Sequence, residues 1–430
     1  MDPIFVHRDP ETAPAGGRAL NEGPLQGLRI AVQPNISVQG WPTDAGSNAL
    51  AGFTALEDAT IVQRLRRSGA FLCGSTRMSE FGLGLLGSRA GAALREQAAD
   101  AELVLDLMGE GRSAASRAGV CGLKPSYGLV SRFGLVGLIP SMECCGVLSG
   151  SLRNIRDILG TIAGQDELDF SLPDEEPPDL SPQTIDPERT TIGVVTEARS
   201  VLSAEQEEAF RVAIDELNKA GFSLREMSLP DFPLFALVHR IVGSVEASSC
   251  AGRYDSVRYG RRASGAKNWN EMYLLSRGAA FGTLLKSYLI QGAFYQFERY
   301  GAFEDACRIR ARLAKDMQRR TSQVDFLVLP LADGAAAGPS AGGAPPGPSI
   351  GASTGGAPSG ASSGAPPSLA DTYAEFASTA FANVTGQPAL YLPPASDSAH
   401  LGFQLAGPRL SDARLLALGE LLLSTRRGGD

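Results

Sequence analysis

From Leu28 onward, short apolar runs alternate with amphipathic stretches, and this alternation restricts the chain to an α/β architecture. Leu28-Arg29-Ile30-Ala31-Val32 reads as a strand, Glu57 to Leu65 as a helix, and Ala70-Phe71-Leu72-Cys73 as the next strand. Glu102-Leu103-Val104-Leu105 and Thr191-Ile192-Gly193-Val194-Val195 follow as strands, and Ala204 to Ala220 as an amphipathic helix closed by Gly221. Val324 to Pro330 has the pattern of a buried strand and Leu369 to Ala377 that of a helix. The expectation is a mixed central β-sheet covered by helices on both faces.

With 430 residues and 43% hydrophobic content, the chain has enough apolar material for a large core. One segment cannot contribute to it. Between 333 and 368 glycine, alanine, serine and proline displace nearly everything else, and Ile350 is the lone large apolar residue, so a disordered insertion is expected. A tether for a partner is the functional alternative to a tolerated expansion. The organisation expected is an N-terminal tail over 1–24 and a body over 25–332 and 369–430. Within the body lie a core region, 25–170, and a helix-rich part, 231–320; the acidic, proline-rich Pro173 to Asp179 marks a surface linker.

A net charge of −8 argues against a general nucleic-acid surface, and no direct nucleic-acid partner is expected. The arginines between Arg258 and Arg320 are interleaved with acidic residues, which points to a solvated face or subunit contacts. No run of about twenty apolar residues occurs, and Met1 to Arg8 lacks the charged-then-apolar order of a signal peptide, so a cytoplasmic protein with no membrane contact is expected. His7, His239 and His400 are too dispersed for a metal site, with His239 read as a core-edge residue; the six cysteines show no zinc spacing. Neither a metal nor a cofactor is expected.

The run Gly122-Leu123-Lys124-Pro125-Ser126-Tyr127-Gly128-Leu129-Val130-Ser131-Arg132-Phe133-Gly134-Leu135-Val136 resembles the segment that follows the catalytic serine in amidase signature enzymes. That resemblance implies an amidase-signature fold and a serine nucleophile, a second serine that relays its proton and a lysine that accepts it. Residues 1 to 123 contain no lysine, and Lys124 is the first in the chain. The family's strand and "Val-Lys-Asp-Asn" segment falls on Leu28 to Asn35, which puts Gln33 at the place of the base. An amide cannot accept that proton near neutral pH.

Counting back from Gly122, the family's "Gly-Gly-Ser-Ile-Arg-x-Pro-Ala" falls without a gap on Met108-Gly109-Glu110-Gly111-Arg112-Ser113-Ala114-Ala115. Glu110 stands at the nucleophile position and Arg112 at the family arginine. A shifted register offers Ser113 as the hydroxyl but supplies no lysine. Where the family has a longer loop carrying the relay serine, Ala90 to Ala101 reads as a helix.

Ala251-Gly252-Arg253-Tyr254-Asp255-Ser256-Val257-Arg258-Tyr259-Gly260, Ser276 to Gly282, Gly292 to Tyr295 and Asn383 to Pro388 resemble the A-subunit branch of that family, the glutamyl-tRNA(Gln) amidotransferases. The resemblance implies an arginine and an aspartate that hold glutamine; the matching positions carry Ser287, Tyr288 and Phe376, with Glu375 one residue away as a substitute. It also implies a protein partner resembling the B and C subunits. Together these readings predict a pseudo-amidase acting as a non-catalytic scaffold or regulatory subunit in protein biosynthesis. The alternatives are a sensor of small amides and a divergent glutaminase or amidase subunit.

Overall fold

A computed structural model describes residues 2–9, 23–331, 367–394 and 402–427. Its centre is one mixed sheet of eleven strands: β1 (Phe5–Arg8), β2 (Arg29–Val32), β3 (Phe71–Thr76), β4 (Ala101–Asp106), β5 (Cys121–Lys124), β6 (Cys144–Ser149), β7 (Thr191–Val195), β8 (Ser223–Met227), β9 (Phe326–Pro330), β10 (Ala389–Leu392) and β11 (Phe403–Ala406). In space they run β1-β3-β2-β4-β6-β5-β10-β11-β9-β7-β8. Strands β2, β3 and β4 are parallel, as are β7, β8 and β9; the centre from β4 to β9 is antiparallel.

The two faces follow from the side-chain alternation of extended chain. Ile30, Val32, Leu103, Phe326, Val328, Leu390 and Leu392 belong to one apolar cluster, with side chains from the Thr60–Arg67, Leu152–Ile162, Ala204–Lys219 and Asp412–Arg427 helices. Their neighbours Ala31, Val104, Leu327, Leu329, Ala389 and Tyr391 belong to a second cluster, with the Glu110–Ala118, Pro233–Cys250, Thr283–Phe297 and Tyr300–Thr321 helices. Strands buried on both faces are therefore mostly apolar, with Glu102, Asp106, Lys124 and Gln404 among the buried exceptions, and the mixed α/β reading of the sequence matches this arrangement.

Two boundaries and the depth of one residue differ from the sequence reading. Within the tail over 1–24, Phe5–Arg8 pairs antiparallel with β3, because Ile4 and Phe5 are buried and Asp2 Oδ1 accepts the Ile4 and Phe5 N–H groups. Ala90 to Ala101 is not one helix: only Ala92–Arg95 is helical, bounded by Gly91 and Gln97 in the left-handed region, at φ +80° and +56°. Glu102 Oε2 accepts the Gly91 N–H at 2.7 Å and Ala101 already belongs to β4, so the sheet claims the end of this segment. His239 is fully buried in the core, not at its edge. The insertion at 333–368, save its last two residues, and His400 lie outside the described residues. No described helix is long and apolar enough to cross a membrane.

Candidate active site

The turn from β4 into the Glu110–Ala118 helix places the residues of interest. Gly109 precedes that helix at φ +131°, and a Cβ there would lie 2.1 Å from Thr379 Oγ1, so only glycine fits. Thr379 Oγ1 in turn donates to Met108 O at 2.6 Å, tying the turn to the Ala380–Thr385 helix on the same side of the sheet.

Arg112 is the largest fully buried side chain among the described residues, and each of its N–H groups has an acceptor. Nε and Nη2 face Asp106 at 3.4 and 3.2 Å, Nη1 donates to Thr379 O and Gln404 Oε1 at 3.0 Å each, and Nη2 also donates to Asn383 Oδ1 at 2.7 Å. A guanidinium carries five donors, so the set is complete. Burial opposes ionisation of Asp106, but the Arg112 charge, its hydrogen bonds and the Asn383 amide hold the carboxyl below its ordinary range. This ion pair fixes the start of the helix to the sheet and leaves Arg112 no donor for a ligand.

Gln33 and Glu110 come together. Gln33 follows β2, is buried, and its Oε1 accepts the Leu105 N–H at 2.8 Å. A lysine ammonium has no acceptor atom and would leave that N–H unpaired. Glu110 is 3% exposed; its Oε2 accepts the Leu107 and Met108 N–H groups at 2.9 and 2.8 Å, and its Oε1 accepts the Gly84 N–H at 3.2 Å. The space between Gln33, Ser79, Gly84, Ser88, Val104 and Glu110 is too narrow for a water molecule. Ser113, the alternative hydroxyl, is buried on the same helix and its Oγ has no hydrogen-bond partner.

The other predicted positions divide. Tyr288 is buried and hydrogen bonded at 3.0 Å to Tyr373, whose hydroxyl also meets His239 Nδ1 at 2.9 Å; His239 Nε2 meets Leu107 O at 2.9 Å. This chain of polar groups ends on the turn that carries Glu110. A ring nitrogen needs its proton to bond a carbonyl, so Nε2 donates and Nδ1 accepts from the Tyr373 hydroxyl in the neutral ring. Phe376 is wholly buried in the same apolar cluster. Ser287 is exposed, donates to Thr283 O and takes no part, while Glu375 pairs with Arg117. Asp106, Thr379, Gln404, Tyr373 and Gly84 do not stand out in the sequence. The signal for Asp106 is a carboxylate at the end of an apolar strand, six residues before an arginine.

Burial and the nearby Asp106 charge push the Glu110 carboxyl up to about 8, against the pull of the Met108, Leu107 and its own backbone N–H groups. Burial likewise pushes Glu102 up to about 7, and holds His239 down at about 4. A carboxyl whose folded value lies above its ordinary 4.5 binds its proton more tightly in the fold, so stability falls as pH rises from about 4.5 to about 8. His239 works in the other direction and only below its ordinary 6.5, where the unfolded ring takes a proton that the buried ring refuses. Glu110→Gln is therefore expected to flatten the decline between pH 6.5 and 8, where the wild-type protein loses up to about 1.4 kcal/mol per pH unit through this group. Urea unfolding across that range checks it; parallel profiles for the two proteins would show that Glu110 does not titrate there.

An open cleft of about 440 Å³, lined by Pro24, Arg153, Arg156, Asp157 and Leu180, lies along the Leu152–Ile162 helix, away from these residues. Arg156 in its wall is committed to Glu420 and Asp157.

The Amidase family profile matches residues 8–104 and 91–416. The A subunit of the Natronomonas pharaonis glutamyl-tRNA(Gln) amidotransferase is 33% identical over 94% of this chain and 96% of its own length. Its namesake from Thermus thermophilus is 34% identical over 91% of this chain and 83% of its own. Among solved structures, the A subunit of the Thermotoga maritima glutamyl-tRNA(Gln) amidotransferase aligns with a TM-score of 0.73 at 22% identity, over 97% of this chain and 86% of that one. 6-Aminohexanoate cyclic dimer hydrolase aligns at 0.70 and 21%, over 94% and 86%. The likeness to these two structures is one of fold, while the profile match and the sequence relatives together place this chain in the amidase family.

Proposed function

We propose that this chain is a non-catalytic member of the amidase family, a pseudo-amidase akin to the A subunit of glutamyl-tRNA(Gln) amidotransferase, which acts by binding a protein partner. The observation that carries the reading is Glu110, which stands where the family motif has its serine and whose carboxyl oxygens accept the N–H groups of Leu107, Met108 and Gly84. A serine nucleophile needs both a base and a vacant set of donors for the oxyanion that forms when it attacks. Here the donors are taken, and the base position holds Gln33, whose carboxamide oxygen accepts the Leu105 N–H. Residues 1 to 123 contain no lysine to take its place.

The clamp positions support the same reading. Tyr288 and Phe376 are buried in the protein's own core, and Ser287 faces solvent. A glutamine carboxylate and ammonium require charged groups at such positions, and these residues carry none. What the chain retains is the amidase body with its helix-rich part, and retention of a body without its chemistry suits a scaffold or regulatory subunit in the cytoplasm, within an assembly for protein biosynthesis.

Coexpression with B-type and C-type amidotransferase subunits from the same genome tests the partner. A complex that elutes as one species from a sizing column is expected. Recovery of this chain alone, with B and C associating without it, would overturn the scaffold role.

A further inference from the structure

The Thr283–Phe297 helix is apolar on two faces. Leu285, Tyr288, Leu289 and Gly292 on its inner face are buried. Gly292 lies so close to the Pro233–Cys250 helix that a Cβ there would stand 1.8 Å from Ser244 O, which seats one helix backbone directly on the other and fixes the direction of the outer face. A surface helix that buries one face ordinarily keeps the other polar. Here the outer face carries Ile290, Phe294 and Phe297, at 69%, 47% and 75% exposure. Together with the exposed Thr283 and Ser287 they fall at alternating steps of four and three residues, which is the spacing of a seam between two helices.

We propose that this seam is the contact between two copies of the chain, paired antiparallel about a two-fold axis at Ile290. The order of side-chain sizes carries the inference. The small Thr283 and Ser287 occupy the first half of the seam and the large Phe294 and Phe297 the second. An antiparallel pairing sets large against small, Phe297 against Thr283 of the second copy and Phe294 against its Ser287, while Ile290 meets Ile290. A parallel pairing would set Phe297 on Phe297 and leave the level of Thr283 and Ser287 underfilled. Charge favours the same arrangement. The Glu298 carboxylate forms no ion pair or hydrogen bond among the described residues, and the two-fold brings it to the N-terminus of the other copy's helix, about one turn from its Lys286. At about 200 Å² for a whole aromatic residue, the three apolar side chains expose on the order of 350 Å² per copy. That is below the ~800 Å² per partner of a standard stable interface, so the expected dimer is reversible, with micromolar affinity. The inference is independent of the non-catalytic reading.

Sedimentation velocity of the wild-type chain from about 1 to about 100 µM tests the pairing. The weight-average mass is expected to climb from 45.0 kDa toward twice that value. Ile290→Glu, which places two like charges on the axis, is expected to weaken the association at least about tenfold. Because the position is exposed, its urea midpoint should stay at that of wild type. Two cysteine variants read the register. Ile290→Cys is expected to form a disulfide-linked dimer on oxidation and Phe297→Cys is not, since the antiparallel arrangement sets the two copies of residue 297 roughly 20 Å apart along the helix axis. A wild-type chain that stays at 45.0 kDa at every concentration overturns the proposal, including where the seam then binds a B-type or C-type subunit or phosphatidylcholine vesicles instead. A dimer that Ile290→Glu leaves intact overturns the assignment of the face, and efficient crosslinking through Phe297→Cys overturns the antiparallel register.

Discussion

Replacing Arg112 by alanine is expected to destabilise the protein by about 3–5 kcal/mol, the largest effect of any single side chain at this site. The pair it forms with Asp106 is wholly buried, at 0% and 1% side-chain exposure. Removal of the guanidinium strands the Asp106 carboxylate in the core and also leaves Thr379 O, Gln404 Oε1 and Asn383 Oδ1 short of a donor. Asp106 has one remaining side-chain partner, the Asn383 amide at 2.9 Å. Since total stabilities of folded domains run to about 5–15 kcal/mol, a loss of this size should appear as poor recovery of soluble protein and a large drop in the urea midpoint. A Lys substitution would restore charge but not the five-way fork, and should recover only part of the loss. The double variant Asp106→Leu/Arg112→Met should lose less than the two single variants summed, because it leaves no lone charge. A drop under about 1 kcal/mol for Arg112→Ala would mean that the network is not buried as described.

Glu110 and Arg112 lie two residues apart, but only Arg112 bridges β4, the Ala380–Thr385 region and β11. Its role in this chain is structural, and it holds the turn in the shape that presents the Leu107 and Met108 N–H groups.

Much of the fold was legible from periodicity. Thr191–Val195 and the helix from Ala204 end within a residue of their expected limits, because a β-branched run and a Ser203 capping box are strong local signals. The expected long helix over Ala90 to Ala101 failed for a reason outside its composition. Alanine, leucine and glutamate favour a helix, but Glu102 draws the Gly91 backbone to the sheet and β4 begins at Ala101. The strand at Phe5–Arg8 is four residues long and has one exposed face, too short for alternation to distinguish it from coil.

At the site, the resemblance to the family's motifs singled out Gln33, Glu110 and Arg112, and the structure brings them to the same end of β2 and β4. The partners were not legible. Asn383 and Gln404 lie more than 250 residues from Arg112 along the chain, 271 and 292, and no local pattern ties an amide to an arginine at that distance. His239 is similar: its neighbours on the helix suggested an edge, whereas Leu107 O and Tyr373 supply the two bonds that let the ring be buried. That Gly84 would donate to Glu110 depended on the path of a loop rich in glycine, which sequence alone does not set.

This amidase body is expected not to hydrolyse glutamine. Ammonia release from glutamine by the purified protein, alone and mixed with B-type and C-type subunits from the same genome, addresses it directly, with a glutaminase-active relative as the parallel control. Loss of a nucleophile or its base ordinarily lowers turnover by roughly four to six orders of magnitude. No release above the uncatalysed background is expected under either condition, together with a stable complex on a sizing column. Release within about tenfold of the active control would contradict it, and would require a base and a nucleophile other than Gln33 and Glu110.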